Sequence, residues 1–170
     1  WVELAKWLDS QGLDIVFSGS GDKDELAYVN AIAQQLPTHC LNLAGQLSLA
    51  ESADLLKRAV LYVGPDTVMT HMAAATGVPT IALFGPSNPV KWGPWPAQWP
   101  LGDAPSLWNR VGSARHGNVF LIQGVGDCVP CMLEGCDRHT DSASACLETL
   151  PVARVIAAAE TFLKERSAGA

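Results

Sequence analysis

One run, residues 64–89, with the strand that leads into it, constrains this chain more than any other. The apolar stretch Val60-Leu61-Tyr62-Val63 reads as a strand that Gly64 and Pro65 break. Asp66 then opens a short helix, Thr67 to Thr76, which stops at Gly77. Thr80-Ile81-Ala82-Leu83-Phe84 is a second apolar strand, and Gly85-Pro86-Ser87-Asn88-Pro89 is the turn that follows it. Both turns come after the carboxyl ends of strands, which is where ligands bind in an open α/β sheet. The first turn also offers the free N–H groups of a helix start, a ready seat for phosphate. The pattern predicts a pocket for a nucleotide diphosphate.

The rest of the chain repeats the alternation. Val2 to Gln11 reads as a helix stopped by Gly12, Leu13 to Ser18 as a strand, Gly19-Ser20-Gly21 as a turn and Asp22 to Leu36 as a helix. Leu26, Val29, Ile32, Ala33 and Leu36 fall at helical spacing along it. His39 to Ala44 is a short strand, and Ser48-Leu49-Ala50-Glu51 is a capping box that starts a helix running to about Ala59. Strands alternating with helices imply a parallel sheet with right-handed crossovers. Beyond residue 90 the texture changes: residues 91–148 form an irregular segment rich in Trp and Cys. Lys91 to Asn118 reads as a long loop and Asn118 to Ile122 as one more strand. A final helix starts near Thr149 with Pro151 in its first turn, presenting Val152, Val155, Ile156, Ala159, Phe162 and Leu163 on one face.

Composition excludes several classes. With 48% apolar and 16% charged residues over 170 positions, the chain is globular, and we expect a single domain over 1–170. A net charge of −6 argues against nucleic acid as a partner. No apolar run reaches the ~18 residues that a membrane span needs, and no signal-peptide pattern is present. The chain begins at Trp1, in what reads as mid-helix, so we expect a fragment whose upstream part holds further functional residues.

Several residues carry chemistry under one reading and packing under another. Asp66 and Thr67 open a helix: Asp is a favoured cap, and Thr67 with the amides after it would meet a diphosphate. His71, just over one turn further on, is either a packed histidine among Met69, Met72, Ala73 and Ala74 or a donor to phosphate or sugar oxygens. Gly19-Ser20-Gly21 lacks the third glycine of a dinucleotide fingerprint. Asp22, Asp24 and Glu25 complement the dipole of the next helix, with ribose recognition the alternative reading. Cys128, Cys131, Cys136 and Cys146 begin with metal-ligand spacing, which leaves a structural zinc or iron–sulfur site or packed free thiols as readings. Trp92, Trp95, Trp99 and Trp108 read as plugs that seat the loop, with a lid or a docking face as the alternative.

Asp66-Thr67-x-x-x-His71-x-Ala73-Ala74-Ala75-x-Gly77-x-Pro79 resembles a motif of the heptosyltransferase family (glycosyltransferase family 9). So do Leu83-Phe84-Gly85-Pro86-Ser87-x-Pro89, Gly93-Pro94, Ala44 to Leu49, and the Cys-x-Pro-Cys segment followed by Cys146-Leu147. The resemblance covers nearly the whole chain and is dense between residues 45 and 94. It implies an α/β fold with a Rossmann-like parallel sheet flanked by helices. It also implies that this is the C-terminal, donor-binding half of a GT-B glycosyltransferase whose N-terminal acceptor domain is absent. That family transfers heptose from ADP-heptose to the lipopolysaccharide inner core, inverting the anomeric centre.

By position, Asp66, Thr67, Val68 and His71 would lie at the donor diphosphate and sugar, Asp24 or Glu25 at the ribose, and Leu47 beside the base. The implied partners are a nucleotide sugar and a lipopolysaccharide-type glycolipid, with no cofactor required. The implied location is cytoplasmic, with peripheral association at the inner face of the inner membrane. The family's general base, an Asp, belongs to the other half, so the isolated chain is expected to be inactive. Val68 departs from the pattern, because the position after Thr67 is usually Gly. Two other functions fit the same features: a non-catalytic nucleotide- or sugar-binding module, and a GT-B nucleotide-sugar epimerase.

Overall fold

In a computed structural model, which describes residues 1–37, 40–100, 106–139 and 142–168, contacts gather into two units, Trp1–Ser52 and Ala53–Ala170. The first unit holds α1 (Val2–Ser10), β1 (Val16–Phe17), α2 (Lys23–Ala33) and β2 (Leu41–Asn42). β1 and β2 pair in parallel, Val16 opposite Leu41 and Phe17 opposite Asn42. Both strands are shorter than the sequence predicts, because a ladder forms only where the two runs face each other: Leu41 donates to the Ile15 carbonyl and Leu43 to that of Phe17. His39, placed in the second of these strands on sequence grounds, lies outside the described residues. The Asn42 side chain donates to that of Asn30 at 2.7 Å, tying α2 to β2. Leu4, Ala5, Ile15, Val29, Ile32 and Ala44 are the buried apolar residues of this unit.

α3 (Leu49–Arg58) opens with the expected capping box: the Ser48 amide and hydroxyl both donate to Glu51 Oε2, at 2.8 and 2.7 Å, and the Glu51 amide donates to Ser48 Oγ at 3.3 Å. In the second unit β3 (Tyr62–Pro65), α4 (Val68–Thr76) and β4 (Thr80–Phe84) form the predicted parallel βαβ unit. All five residues of β4 are buried, as befits a strand enclosed on both faces. On its other side β4 pairs in parallel with β6 (Val119–Gln123), which pairs in antiparallel fashion with β5 (Ala114–His116). The strand order of this sheet is β3-β4-β6-β5, and β1 and β2 form a separate two-stranded sheet rather than joining one parallel ladder.

Two elements fall inside the stretch expected to be loop: α5 (Pro89–Trp92) and β5. Gly117, at φ +54°, turns the chain between β5 and β6, so two residues, Gly117-Asn118, close a hairpin. The Asn118 amide then clamps the end of α4, donating to the carbonyls of Ala74 at 3.0 Å and Val78 at 2.9 Å. Ala74, Ala82, Phe84, Trp108, Val119 and Leu121 make the sheet's core.

Trp108 packs as a plug, its indole N–H bonded to the Pro94 carbonyl at 3.0 Å, and with Trp99 it brackets the His116 ring edge-on. Trp92 and Trp95 stay exposed, so packing accounts for only part of the tryptophan cluster.

The C-terminal α7 (Val152–Ala168) starts after Pro151 rather than around it, because residues 145–148 form their own short helix, α6 (Ala145–Glu148). Val155, Ala158, Ala159 and Phe162 are the buried face of α7. Arg115 of β5 lies over the Phe162 ring and forks onto the Glu165 carboxylate at 2.5 and 2.7 Å. That pairing holds the Glu165 carboxyl below its ordinary range. Among the described residues no helix is long and apolar enough to cross a membrane.

Candidate functional site

The turn from β3 into α4 is built from the strand outward. Tyr62 and Gly64 alternate on one face of β3, and the tyrosine ring folds over the glycine so closely that a Cβ there would run into the ring and its hydroxyl. The Thr70 hydroxyl donates to the Pro65 carbonyl at 2.5 Å, which leaves its lone pairs for the Tyr62 hydroxyl, 3.1 Å away. Burial pushes the Tyr62 phenol above its ordinary range, against the pull of hydrogen bonds with Thr70 and Thr67. This buried network fixes residues 62–70 without using the first amides of the helix.

Thr67, not Asp66, is the N-cap. It is extended at φ −144° and ψ 169°, and its side chain makes no bond to the first turn of α4. Its carbonyl accepts from the amides of Thr70 and His71, at 3.0 and 3.4 Å. The amides of Val68 and Met69 therefore donate to no cap side chain and stand at the positive end of the helix. Asp66 is free of the capping role because its carboxylate turns to His71, with Oδ1 3.5 Å from Nε2. The sequence treats these two residues as separate candidates; the structure makes them a pair, with Asp66 one-fifth exposed and His71 two-fifths exposed. Val68 projects into solvent at 56% exposure.

Asp24, Glu25 and Leu47 belong to the first unit. Asp22 caps α2 with its own carboxylate, accepting the Asp24 and Glu25 amides at 3.0 and 3.1 Å. Glu25 folds back over the turn: Ser20 donates to its Oε2, and a Cβ on Gly19 would lie 2.7 Å from its Oε1. The side chain of Asp24 is exposed beside it. The Gly45 amide donates to the Gly19 carbonyl at 3.0 Å, so the loops ending β1 and β2 touch. Leu47 lies half-buried where the second of these loops leads into α3.

The turn after β4 is covered. Gly85 faces the Cys146 and Leu147 side chains, and the Met132 amide donates to the Pro86 carbonyl at 2.8 Å. Asn88 caps α5, accepting the Val90 amide at 3.1 Å.

Of the four clustered cysteines, Cys128 and Cys136 are exposed and Cys146 is buried. Burial raises the Cys146 thiol pKa, and Cys131 and Cys136 raise it further. Cys136 Sγ accepts the Ala145 amide at 3.4 Å. Among the described residues no group of three or more His, Cys, Asp or Glu side chains is placed to hold a metal ion. Cys128, Cys131, Cys136 and Cys146 are all free thiols in this arrangement.

Sequence reasoning missed Tyr62 and Thr70. The signal available was a threonine in a mostly apolar helix, shortly after a Gly-Pro break. It also missed Arg154, an exposed position on the polar side of the final helix.

The sequence profile of glycosyltransferase family 9 (heptosyltransferase) matches residues 1–100. Over 89 residues the chain is 39% identical to lipopolysaccharide heptosyltransferase 3 of Escherichia coli, a match that takes in 52% of this chain and 26% of that protein. It is 52% identical over 90 residues to lipopolysaccharide heptosyltransferase 1 of Pseudomonas aeruginosa, covering 52% of this chain and 24% of that one. The matched stretch thus spans about a quarter of these relatives' length. A crystal structure of E. coli ADP-heptose lps heptosyltransferase II shares the fold: the TM-score is 0.70 over 98% of this chain and 41% of that one, at 23% identity.

Proposed function

The chain belongs to glycosyltransferase family 9, and on that premise we propose that it is the donor-binding half of an inverting heptosyltransferase of lipopolysaccharide core biosynthesis, with ADP-heptose as donor. The observation that carries the reading is the uncapped start of α4 at the carboxyl end of β3, with Asp66 and His71 paired beside it.

The diphosphate is the leaving group of the transfer, so negative charge grows on it as the glycosidic bond breaks. Preorganised N–H donors aimed at such charge stabilise the transition state without having to reorient. In this reading the Val68 and Met69 amides and the Thr67 hydroxyl receive the diphosphate. His71, held by Asp66, donates to a phosphate or sugar oxygen. Asp66 orients His71 rather than meeting the phosphate, which would repel it.

The general base that deprotonates the acceptor hydroxyl belongs to the other half of the enzyme, and so does the seat of the glycolipid acceptor. The chain alone therefore binds nucleotide and turns nothing over. The reading asks no metal of these residues, and it places the whole enzyme on the cytoplasmic face of the inner membrane.

Calorimetric titration with ADP, UDP and GDP tests the reading. ADP is expected to bind selectively and to lose about tenfold in affinity, or ~1.4 kcal/mol, in Asp66→Ala and His71→Gln. Equal binding of all three nucleotides, or none by the folded chain at millimolar concentration, would sink it. One observation favours a non-catalytic nucleotide-binding module instead: the Val68 isopropyl group stands exposed at the mouth of the open turn, where the family motif carries glycine. Val68→Gly separates the two readings. A gain in ADP affinity shows a side chain obstructing a donor seat, and no change shows that the seat never depended on that room.

A further inference from the structure

A second concavity opens at the carboxyl end of β6, on the edge of the sheet where α/β proteins take their ligands. It has a volume of about 310 Å³ and is lined by Gly112, Ser113, Gln123, the Gly124-Val125-Gly126 loop and Arg154, among others. The volume is at the low end of small-molecule sites, ~300–1,000 Å³. It suits a single small group better than a whole nucleotide sugar.

Arg154 is the one charged residue in that lining, and among the described residues it forms no ion pair. Two hydrogen bonds hold its guanidinium in place: one terminal nitrogen donates to the Gln123 carbonyl at 3.1 Å, the other to Ser113 Oγ at 2.9 Å. A guanidinium has five N–H donors, so three remain for a ligand. Ser113 Oγ also accepts the Gln123 amide, at 2.9 Å. With both lone pairs taken, the hydroxyl proton is left to donate outward. Buried Gln123 braces the wall, accepting the Gly112 amide at 2.6 Å and donating to the Arg110 carbonyl at 3.0 Å.

We propose that this cavity binds a tetrahedral oxyanion, a phosphate group, through Arg154 and the Ser113 hydroxyl. A planar fork with an adjacent hydroxyl donor matches two oxygens of a phosphate, and no carboxylate among the lining residues opposes it. The site shares no residue with the turn between β3 and α4, so the proposal does not rest on the donor reading. Two sources carry this chemistry: free inorganic phosphate and a phosphorylated saccharide.

The test is a proton–nitrogen NMR titration of the chain with inorganic phosphate, with glucose 6-phosphate and, separately, with ADP. Saturable shifts are expected at Gly112, Ser113, Gly124, Val125 and the Arg154 side chain at millimolar concentrations of either phosphate probe. Arg154→Gln should weaken them at least tenfold. Because that variant also loses two structural hydrogen bonds, Val125→Glu serves as the second: the exposed position puts a carboxylate at the rim and leaves the Arg154 bonds intact.

Tighter binding of glucose 6-phosphate assigns the site to a phosphorylated saccharide, and equal binding assigns it to free phosphate. No saturable shift at these residues, or undiminished binding in folded Arg154→Gln and in Val125→Glu, overturns the proposal. So does ADP that moves residues 112–126 and is displaced by phosphate, because the cavity would then be part of one nucleotide site. ADP shifts confined to residues 64–71 report on the donor reading alone, so either can fail without the other.

Discussion

At the carboxyl end of β1 the chain fills its own helix start, and at the carboxyl end of β3 it leaves one open. Both are strand–turn–helix junctions with a glycine and an aspartate just ahead of the helix. In the first, Asp22 takes the Asp24 and Glu25 amides, and Glu25 is bonded back to Ser20. In the second, Asp66 turns to His71 instead, Thr67 makes no cap bond, and a buried Tyr62–Thr70–Pro65 network keeps the turn in shape. A helix start can seat an outside anion only if the chain has not supplied one of its own. On this ground the β3 turn is the better phosphate seat, even though the β1 turn carries the Gly-x-Gly that first suggests one.

The largest effect should come from Thr70→Val, which removes the hydroxyl that serves both Pro65 and Tyr62. The Pro65 carbonyl loses its partner while the Tyr62 hydroxyl keeps Thr67, and at ~1–3 kcal/mol for a buried group left unsatisfied, a loss of about 1–3 kcal/mol is expected. The parallel change in the other turn, Ser20→Ala, frees an exposed carboxylate and an exposed amide, both open to water, and should be nearly neutral. Urea denaturation of both variants measures the contrast. Equal costs would mean that the open turn is not held by buried bonds after all.

The next effect exchanges the two behaviours. Thr67→Asp gives α4 the cap that α2 already has, so stability should rise by ~0.5–1 kcal/mol. The new carboxylate occupies the Val68 and Met69 amides, and ADP affinity should fall tenfold or more. In the reverse direction, Asp22→Ala should cost ~1 kcal/mol of stability and leave ADP affinity unchanged. Thermal unfolding and calorimetry on the same samples read both quantities. If Thr67→Asp stabilised the chain and still bound ADP as before, the open amides would not be the phosphate seat.

How far this contrast was legible in the sequence follows from what each feature depends on. The capping box at Ser48–Glu51, the strand Thr80–Phe84 and the stop at Gly77 are set by local chemistry, and they stand where the sequence predicts them. β5 was missed because its three residues carry no apolar alternation; only the Gly117-Asn118 pair hinted at a hairpin. Asp66 and Thr67 were rightly placed at a helix start, but which of them caps it depends on the competing bond to His71. The network of Tyr62 and Thr70 was invisible for a similar reason: its partners come from strand, turn and helix, and a one-dimensional pattern does not register their convergence. Arg154 gave no signal at all, since its role comes from Ser113 and Gln123, some 30 to 40 residues away.

The smallest effect concerns acid. At the start of α3 the filled helix start has a titrating member: the bonds from Ser48 hold the Glu51 carboxyl below its ordinary range. A carboxyl depressed in the folded state adds stability that is present above its unfolded pKa. That contribution is lost as pH falls through the lower, folded value. Glu51→Gln keeps an acceptor for Ser48 but removes the titration, so the variant should differ from the parent near neutrality and converge with it in acid. Because Glu51 is fully exposed, the difference should be small and should shrink further with added salt. The open turn at α4 has no carboxylate on its first amides, so Thr67→Ala should leave the acid limb of the stability curve as it is. Denaturation midpoints between pH 3 and 7 compare the two. An acid limb that moved with Thr67 rather than with Glu51 would reverse the assignment of which helix start is filled from within.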